Sequence, residues 1–371
     1  MARRRRPARI RRIAISTGGG DAPGLNAVIR AVVMTAHRLG WECVGIRDGY
    51  EGLLGPRSAG GLAPLTPARV QGITQLGGTI LGTTNAGNPL SYPVRQKDGS
   101  VVLKDRSTEL VRAFRREGLD ALVAIGGDGS LRIANALEKK GLRVVGVPKT
   151  IDNDLADTAV TFGFDTAVSF ATECIERLHT TAASHRRLMV VEVMGRYAGW
   201  IALNAGVSGD AHAILIPEIP YQIDKVAAAL RAREAAGQYH SIVVVAEGAR
   251  PKGGRRSVLE RRAGRAERLG GIGEHVAKEL GRLTGKETRH VVLGHLLRGG
   301  PPTTFDRLLS LRFGAAAVRA LAEGRSGVMV ALAPPTVRYV PLYQIARKIR
   351  NVPVNSDTVR TARDLGICFG D

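Results

Sequence analysis

Three short segments hold the residues best suited to chemistry. In Pro148-Lys149-Thr150-Ile151-Asp152-Asn153-Asp154, two carboxylates stand two residues apart just after the apolar run RVVGV (143–147). Such a pair can divide labour, one carboxylate taking a proton and the other holding charge or geometry. In Gly126-Gly127-Asp128-Gly129-Ser130, which follows ALVAI (121–125) and opens a helical pattern, Asp128 offers the oxygen donor that a hard cation such as Mg²⁺ takes. In Thr17-Gly18-Gly19-Gly20-Asp21-Ala22-Pro23-Gly24, glycines let the backbone approach an anion, and the helix that follows adds N–H groups and a positive dipole end. This loop is not a Walker A motif, because Leu25 and Asn26 stand where a Lys-Ser/Thr pair is needed. Nor is it G-x-G-x-x-G, since Pro23 occupies the last glycine position. Singly, each segment also reads as a capped turn, which Asp, Asn, Ser and Gly favour.

Further candidates recur at the same place relative to apolar runs. Met194-Gly195-Arg196 follows 188–193, Glu247-Gly248 follows 241–246, and His295 and Arg298 follow 289–294, with Arg289 at that run's start. Taken alone, an arginine is usually a solvated charge and a lone histidine a structural residue. Their shared position is the informative feature, because ligands of parallel α/β sheets bind at the carboxyl ends of strands.

The elements that must position these groups alternate in type. Apolar runs at 11–17, 121–125, 143–147, 188–194, 213–217, 241–247, 289–296 and 328–332 predict strands. Helical spacing predicts a helix after Gly24, another between Ser130 and Gly141, and further helices over 166–183, 224–236 and 305–323. Apolar strands alternating with helices predict an α/β fold with mostly parallel sheets covered on both faces. A chain of 371 residues exceeds one ordinary core, so two domains are expected. Residues 250–271 are basic and poor in large apolar side chains, and are expected to form an exposed, partly helical insertion.

Composition narrows the partners. The net charge of +21 suits anions such as sugar phosphates and nucleotides. Residues 1–12 include an arginine-rich run that reads as a solvated tail. With aromatics at 4%, there are few platforms for stacking bases, so nucleic acid is not the expected partner. No apolar run reaches membrane-spanning length. Three cysteines (Cys43, Cys174, Cys368) without paired spacing fit a reducing compartment, and a cytoplasmic location is expected.

Taken together and in order, GGGDAPGLNAVIR (18–30), GGTILG (77–82), GGDGS (126–130), PKTIDND (148–154), the stretch from Ser184 to Arg187, VVEVMGRYAGW (190–200) and ETRHVVLGHLLRGG (287–300) resemble the phosphofructokinase family. The resemblance runs from about Ile13 to Gly324. It implies two similar Rossmann-like three-layer domains with the chain crossing between them. Residues 13–163 plus about 297–347 would form the phosphoryl-donor domain, and 164–296 plus about 348–371 the fructose 6-phosphate domain. The implied activity is transfer of the ATP γ-phosphoryl group to the 1-hydroxyl of fructose 6-phosphate, giving fructose 1,6-bisphosphate in glycolysis. Gly20, Gly127, Asp128, Gly129 and Ser130 would bind the donor, with Asp128 holding Mg²⁺. Asp152 would be the general base, supported by Thr150 and by Arg196, which would stabilise the transferring group. Thr150, Asp152, Met194, Gly195, Arg196, Glu247, His295 and Arg298 would line the sugar-phosphate site. Arg187 and Arg289 would reach the 6-phosphate from a neighbouring subunit of a dimer or tetramer.

Departures from the family pattern bear on donor and regulation. Gly129 and Lys149 give conflicting signals. Pyrophosphate-using relatives have an aspartate at the position of Gly129, whose bulk and charge would exclude a nucleotide's α-phosphate, but they share a lysine at position 149. The glycine outweighs the lysine, and ATP is the expected donor, with pyrophosphate the alternative and a catalytically weak regulatory paralogue a second one. Asn85 and Ala86 in TNAGNP (84–89) lack the basic residue some relatives use against the nucleotide. Leu297 replaces a usual glutamine, and Pro301-Pro302 a usual Ser-Pro. Met34, His179 and His212 replace charged groups of the bacterial effector site, where Arg30 remains, so weak effector control is expected.

Overall fold

The computed structural model describes residues 9–55, 61–84, 87–260, 268–345 and 348–371. The start of the arginine-rich tail, Asn85 and Ala86, and residues 261–267 of the basic insertion lie outside the described residues. In chain order the strands are β1 (Arg12–Gly18), β2 (Glu42–Ile46), β3 (Leu62–Leu65), β4 (Tyr92–Arg95), β5 (Val101–Lys104), β6 (Ala121–Gly126), β7 (Val144–Pro148) and β8 (Leu188–Val193). There follow β9 (Ala213–Leu215), β10 (Ser241–Ala246), β11 (Val258–Glu260), β12 (Arg268–Leu269), β13 (Thr288–Val292), β14 (Val328–Ala333) and β15 (Thr336–Pro341). The helices are α1 (Leu25–Arg38), α2 (Glu51–Leu54), α3 (Ser107–Arg116), α4 (Asp128–Lys139), α5 (Phe164–His185) and α6 (Trp200–Ser208), then α7 (Ile223–Ala235), α8 (Ile272–Thr284), α9 (Thr304–Ala322), α10 (Leu342–Ile345) and α11 (Asp357–Asp364).

The chain divides into two units. The first contains Met1–Thr150, Leu155–Gly163 and Gly300–Lys348, the second Ile151–Asp154, Phe164–Gly299 and Ile349–Asp371. Two boundaries differ from expectation. Ile151–Asp154 groups with the second unit, where Arg350 N–H donates to the Asp154 carbonyl at 2.8 Å. The 3₁₀ turn Gly294–Arg298 also stays there, because it packs on α5 and β8.

The first unit is built on a sheet ordered β15-β14-β7-β6-β1-β2-β3. Its interior pairs are parallel, while β3 and β15 are antiparallel edges. Side chains alternate faces along a strand. Ile13 and Ile15 of β1 therefore join α1 and α9 in one core, and Ala14 joins α3, α4 and α10 in the other. That double cover explains why all six residues of β6 are buried and apolar or glycine. Each fully buried Val, Leu or Ile there contributes about 1.5–3 kcal/mol. Gly24, with φ +106°, fits between Phe162 and Ser310 at the mouth of α1, where a Cβ would collide with both.

The second unit has a four-stranded parallel sheet, β13-β8-β10-β9. Leu188, Val190, Val243 and Val245 pack on α7 and α8 through Val226, Leu230, Ile272 and Val276. Helices α5 and α6 pack against β10.

Several elements depart from the sequence reading. The run 289–296 is a strand only to Val292, because Gly294 (φ 47°) turns the chain into the 3₁₀ segment. The run 213–217 shortens to Ala213–Leu215. The insertion is not helical where it is described: β11 and β12 pair as an antiparallel ribbon, and Leu269 is buried. Strands β2 to β5 and β15 were missed: β3 and β15 are edges, β4 and β5 pair only with each other, and β2, though interior, is a short run interrupted by Gly45. Pro64 sits in edge strand β3, where a missing N–H is tolerated. Among the described residues, no helix is long and apolar enough to cross a membrane.

Candidate functional site

Strand register brings the phosphate-type motifs together. Gly18 of β1 pairs with Gly126 of β6, and Gly126 pairs with Pro148 of β7. The glycine loop, GGDGS and the segment opening at Lys149 therefore leave the sheet side by side at its carboxyl edge. Lys149 is buried, and its ammonium donates to the Gly20 carbonyl. Thr83 Oγ1 donates to the Gly19 carbonyl at 2.6 Å and Thr17 Oγ1 to the Gly82 carbonyl at 2.7 Å. Asn26, buried at the start of α1, donates to the Leu76 and Gly77 carbonyls at 3.1 Å and accepts from Ile80 N–H at 2.8 Å. GGTILG thus braces the glycine loop.

Asp128 opens α4, where N–H groups lack intrahelical partners and the dipole end is positive. Its carboxylate pairs with Arg132, one turn further along. Gly129 is exposed, and no atom lies within 4 Å of where its Cβ would stand. Ser130, the next residue, lies against the strand ends. Its side chain fills the space where a Cβ on Gly126 would project, so it packs the ends of β1 and β6. Among the described residues, no group of three or more His, Cys, Asp or Glu could hold a metal ion. The single Asp128 carboxylate fits Mg²⁺ of the usual kind, bound by one or two carboxylates together with substrate phosphates and water.

In the second unit, Glu247 follows β10 and Met194-Gly195-Arg196 follows β8, strands that pair Ala246 with Val193. Burial pushes the Glu247 carboxyl up to about 7, the charge of Asp152 raises it further within that value, and Arg196 opposes both. These three side chains therefore share one electrostatic environment. Gly248 N–H donates to the Gly195 carbonyl at 3.2 Å, and a Cβ on Gly248 would collide with the Arg196 carbonyl. His295 and Arg298 lie three residues apart in the 3₁₀ turn, so they share a face, while Leu297 between them is buried. Thr150 ends the first unit's segment after β7, its carbonyl accepting from Thr161 Oγ1 at 2.7 Å.

Arg187 and Arg289 are not with them. They stand at the amino ends of β8 and β13, where Thr288 pairs with Leu188. β8 has six residues, and a strand rises about 3.3 Å per residue, so the two ends are roughly 20 Å apart. Both guanidiniums bind one carboxylate, Glu287, with Arg187 Nε at 2.8 Å.

Several supporting residues escaped the sequence reading. Arg350 donates to Asn153 Oδ1 at 3.3 Å and stacks on Trp200, whose Nε1 donates to the Arg350 carbonyl at 2.9 Å. Glu218 accepts from Gly199 N–H at 3.1 Å and Val352 N–H at 2.8 Å, fixing the loop after Arg196. Arg132 was legible as the basic residue four positions after Asp128 on one helix face.

Residues 12–321 match the sequence model described as phosphofructokinase. The chain belongs to the phosphofructokinase family. It is 56% identical over 361 residues to an ATP-dependent 6-phosphofructokinase of Chloroflexus aggregans, covering 97% of this chain and 98% of that one. It is also 49% identical to a pyrophosphate–fructose 6-phosphate 1-phosphotransferase of Amycolatopsis mediterranei, covering 92% and 96% of the two chains. Among solved structures, a Pichia pastoris phosphofructokinase superposes with a TM-score of 0.76 at 30% identity, over 96% of this chain. The chain spans 37% of that longer Pichia protein.

Two of the departures noted in the sequence, His179 and His212, line a cavity of about 460 Å³ together with His240, Arg186, Asp210 and Arg233 among others. The three imidazoles meet edge to face at 5.6–5.7 Å between centroids. His212 Nδ1 accepts from Ile242 N–H at 2.8 Å, and burial pushes that imidazole down to about 3.

Proposed function

We propose that this chain is an ATP-dependent 6-phosphofructokinase that transfers the γ-phosphoryl group of ATP to the 1-hydroxyl of fructose 6-phosphate. The observation that carries this is the register joining Gly18, Gly126 and Pro148, which brings two glycine-rich loops and Lys149 side by side at one sheet edge. The names of close relatives agree with it. Phosphoryl transfer is mostly positioning and charge stabilisation, which suits backbone amides, lysine and arginine.

Asp152 takes the proton of the 1-hydroxyl, and Arg196 holds charge on the transferring group. Glu247, whose carboxyl burial pushes up to about 7, can in its protonated form donate a hydrogen bond to a sugar hydroxyl. Gly20, Gly127 and Gly129 line the donor's phosphates. Asp128 would hold Mg²⁺, which would neutralise phosphate charge. Arg187 and Arg289, roughly 20 Å from their own chain's Arg196 end of β8, serve a neighbouring subunit's 6-phosphate, so the active unit is a homo-oligomer. The reaction belongs to the cytoplasm.

The second reading is pyrophosphate as donor. Lys149, sited against Gly20, favours it, as do the Amycolatopsis relatives. A coupled assay with fructose 6-phosphate and either MgATP or magnesium pyrophosphate decides between them. Turnover with neither donor would overturn the enzyme assignment and leave a regulatory paralogue.

A further inference from the structure

We propose that Arg132 is a donor-binding residue. In the free protein it rests on Asp128, and in the donor complex it moves onto the donor's phosphate chain. This rests on the donor-site reading given above.

The geometry is that of one helix face. Residues four apart on a helix are neighbours, and Arg132 reaches back one turn of α4 to the Asp128 carboxylate. The Arg132 side chain is 58% exposed, and Asp128 25%. An ion pair so open to water is weak and easily exchanged. The carboxylate it occupies is the one available for Mg²⁺. When the cation arrives with the donor, Asp128 no longer offers Arg132 a free negative charge. The released guanidinium then lies beside the phosphates held at the same carboxylate, and its planar fork suits phosphate oxygens.

The space for this is present. Gly129 lies between Asp128 and Arg132 in sequence, and no atom stands within 4 Å of its Cβ position. The neighbouring cation, Lys149, is engaged with the Gly20 carbonyl on the glycine loop. Arg132 is the cation on the Asp128 side, as the first two turns of α4 have no other basic residue. Through the exchange, Asp128 is paired before and after donor binding, and the donor gains a charge-assisted contact.

The test is calorimetric titration of wild type, Arg132→Ala and Arg132→Lys with MgADP, and with ADP in EDTA. KM for each substrate and kcat are measured alongside. The proposal expects Arg132→Ala to weaken MgADP about tenfold, the worth of one charged hydrogen bond. The donor KM should rise similarly, with kcat within about threefold and the fructose 6-phosphate KM unchanged, which also reports an intact fold. Arg132→Lys should recover part of the loss. In EDTA, Arg132→Ala should also bind ADP more weakly, because a bare Asp128 then repels the phosphates. MgADP binding equal to or tighter than wild type in Arg132→Ala would overturn the proposal, since Arg132 would then merely screen Asp128. Wild type that binds neither MgADP nor magnesium pyrophosphate would instead overturn the donor-site reading itself.

Discussion

Glu247 and Asp152 are electrostatically coupled: burial lifts the Glu247 carboxyl, and the charge of Asp152 adds to the rise, bringing it to about 7. The ordinary value is 4.5, so the folded chain holds this proton more tightly than the unfolded chain. The resulting stability is fully present below pH 4.5 and is lost as pH rises through about 7. Across that window the loss is about 3 kcal/mol. Glu247→Gln cannot ionise and should lack this part of the pH dependence. Guanidinium unfolding from pH 5 to 8 measures it, and equal slopes for both proteins would refute the coupling.

Asp152→Ser should lower kcat by about 10²–10⁴-fold while fructose 6-phosphate still binds. A second readout comes from the same coupling. Removing the Asp152 charge should move the Glu247 step in the stability profile to lower pH. A variant with near-normal kcat would end the assignment of Asp152 as base.

The local chemistry was legible because each motif follows a buried parallel strand, and such strands are continuous apolar runs. The runs ahead of Asp128, Asp152, Arg196 and Glu247 all proved to be strands. What stayed hidden depends on pairing between distant segments. Arg350 lies some 200 residues after Asn153, and only the fold brings its guanidinium there. The β11–β12 ribbon was missed because a basic, apolar-poor stretch carries no period-2 signal, so its pairing is set by tertiary context. Arg289 was readable as an arginine at a strand start and Arg187 through the family resemblance, but their shared hold on Glu287 was not.

If Arg187 and Arg289 serve a neighbouring site, activity should return when two dead proteins are mixed. Arg187→Ala lacks the donated arginine, and Asp152→Ser lacks the base. Subunits exchanged between them form some sites with both groups intact. The expected result is partial recovery of fructose 6-phosphate phosphorylation in the mixture, with neither parent active alone. A monomer by light scattering during turnover is the contrary outcome.

Effector control should be weak at neutral pH. His212 is held neutral there by burial, and His240 is pushed down by burial and by neighbouring His179 and Arg233. Fixed charges at such positions would each supply about 1.5–3 kcal/mol of phosphate contact. ADP and phosphoenolpyruvate, titrated at sub-saturating fructose 6-phosphate, should change the rate only modestly. A strongly sigmoidal response to either would show that Arg186 and Arg233 suffice for effector capture.

Donor choice should turn on Gly129. Its Cβ position is open, with no atom within 4 Å, and it sits in the first turn of α4. An aspartate there meets no clash in the protein, and its charge suits a helix N-terminus. Gly129→Asp should therefore fold with wild-type stability, which separates a donor effect from misfolding. The new carboxylate would fill the space beside Asp128 and repel a nucleotide's α-phosphate, a group that pyrophosphate does not have. Lys149 favours pyrophosphate only weakly, because both donors present phosphate oxygens to an ammonium on the glycine loop. The measurement is kcat/KM for MgATP and for magnesium pyrophosphate at saturating fructose 6-phosphate, on wild type and Gly129→Asp. MgATP should be the better donor for wild type, and its kcat/KM should fall at least about a hundredfold in the variant, as expected when a fixed charge opposes a phosphate in place of open space. Pyrophosphate use should change much less. If pyrophosphate is the better donor for the unmodified protein, the open space at Gly129 does not select the nucleotide, and Lys149 becomes the residue to test next.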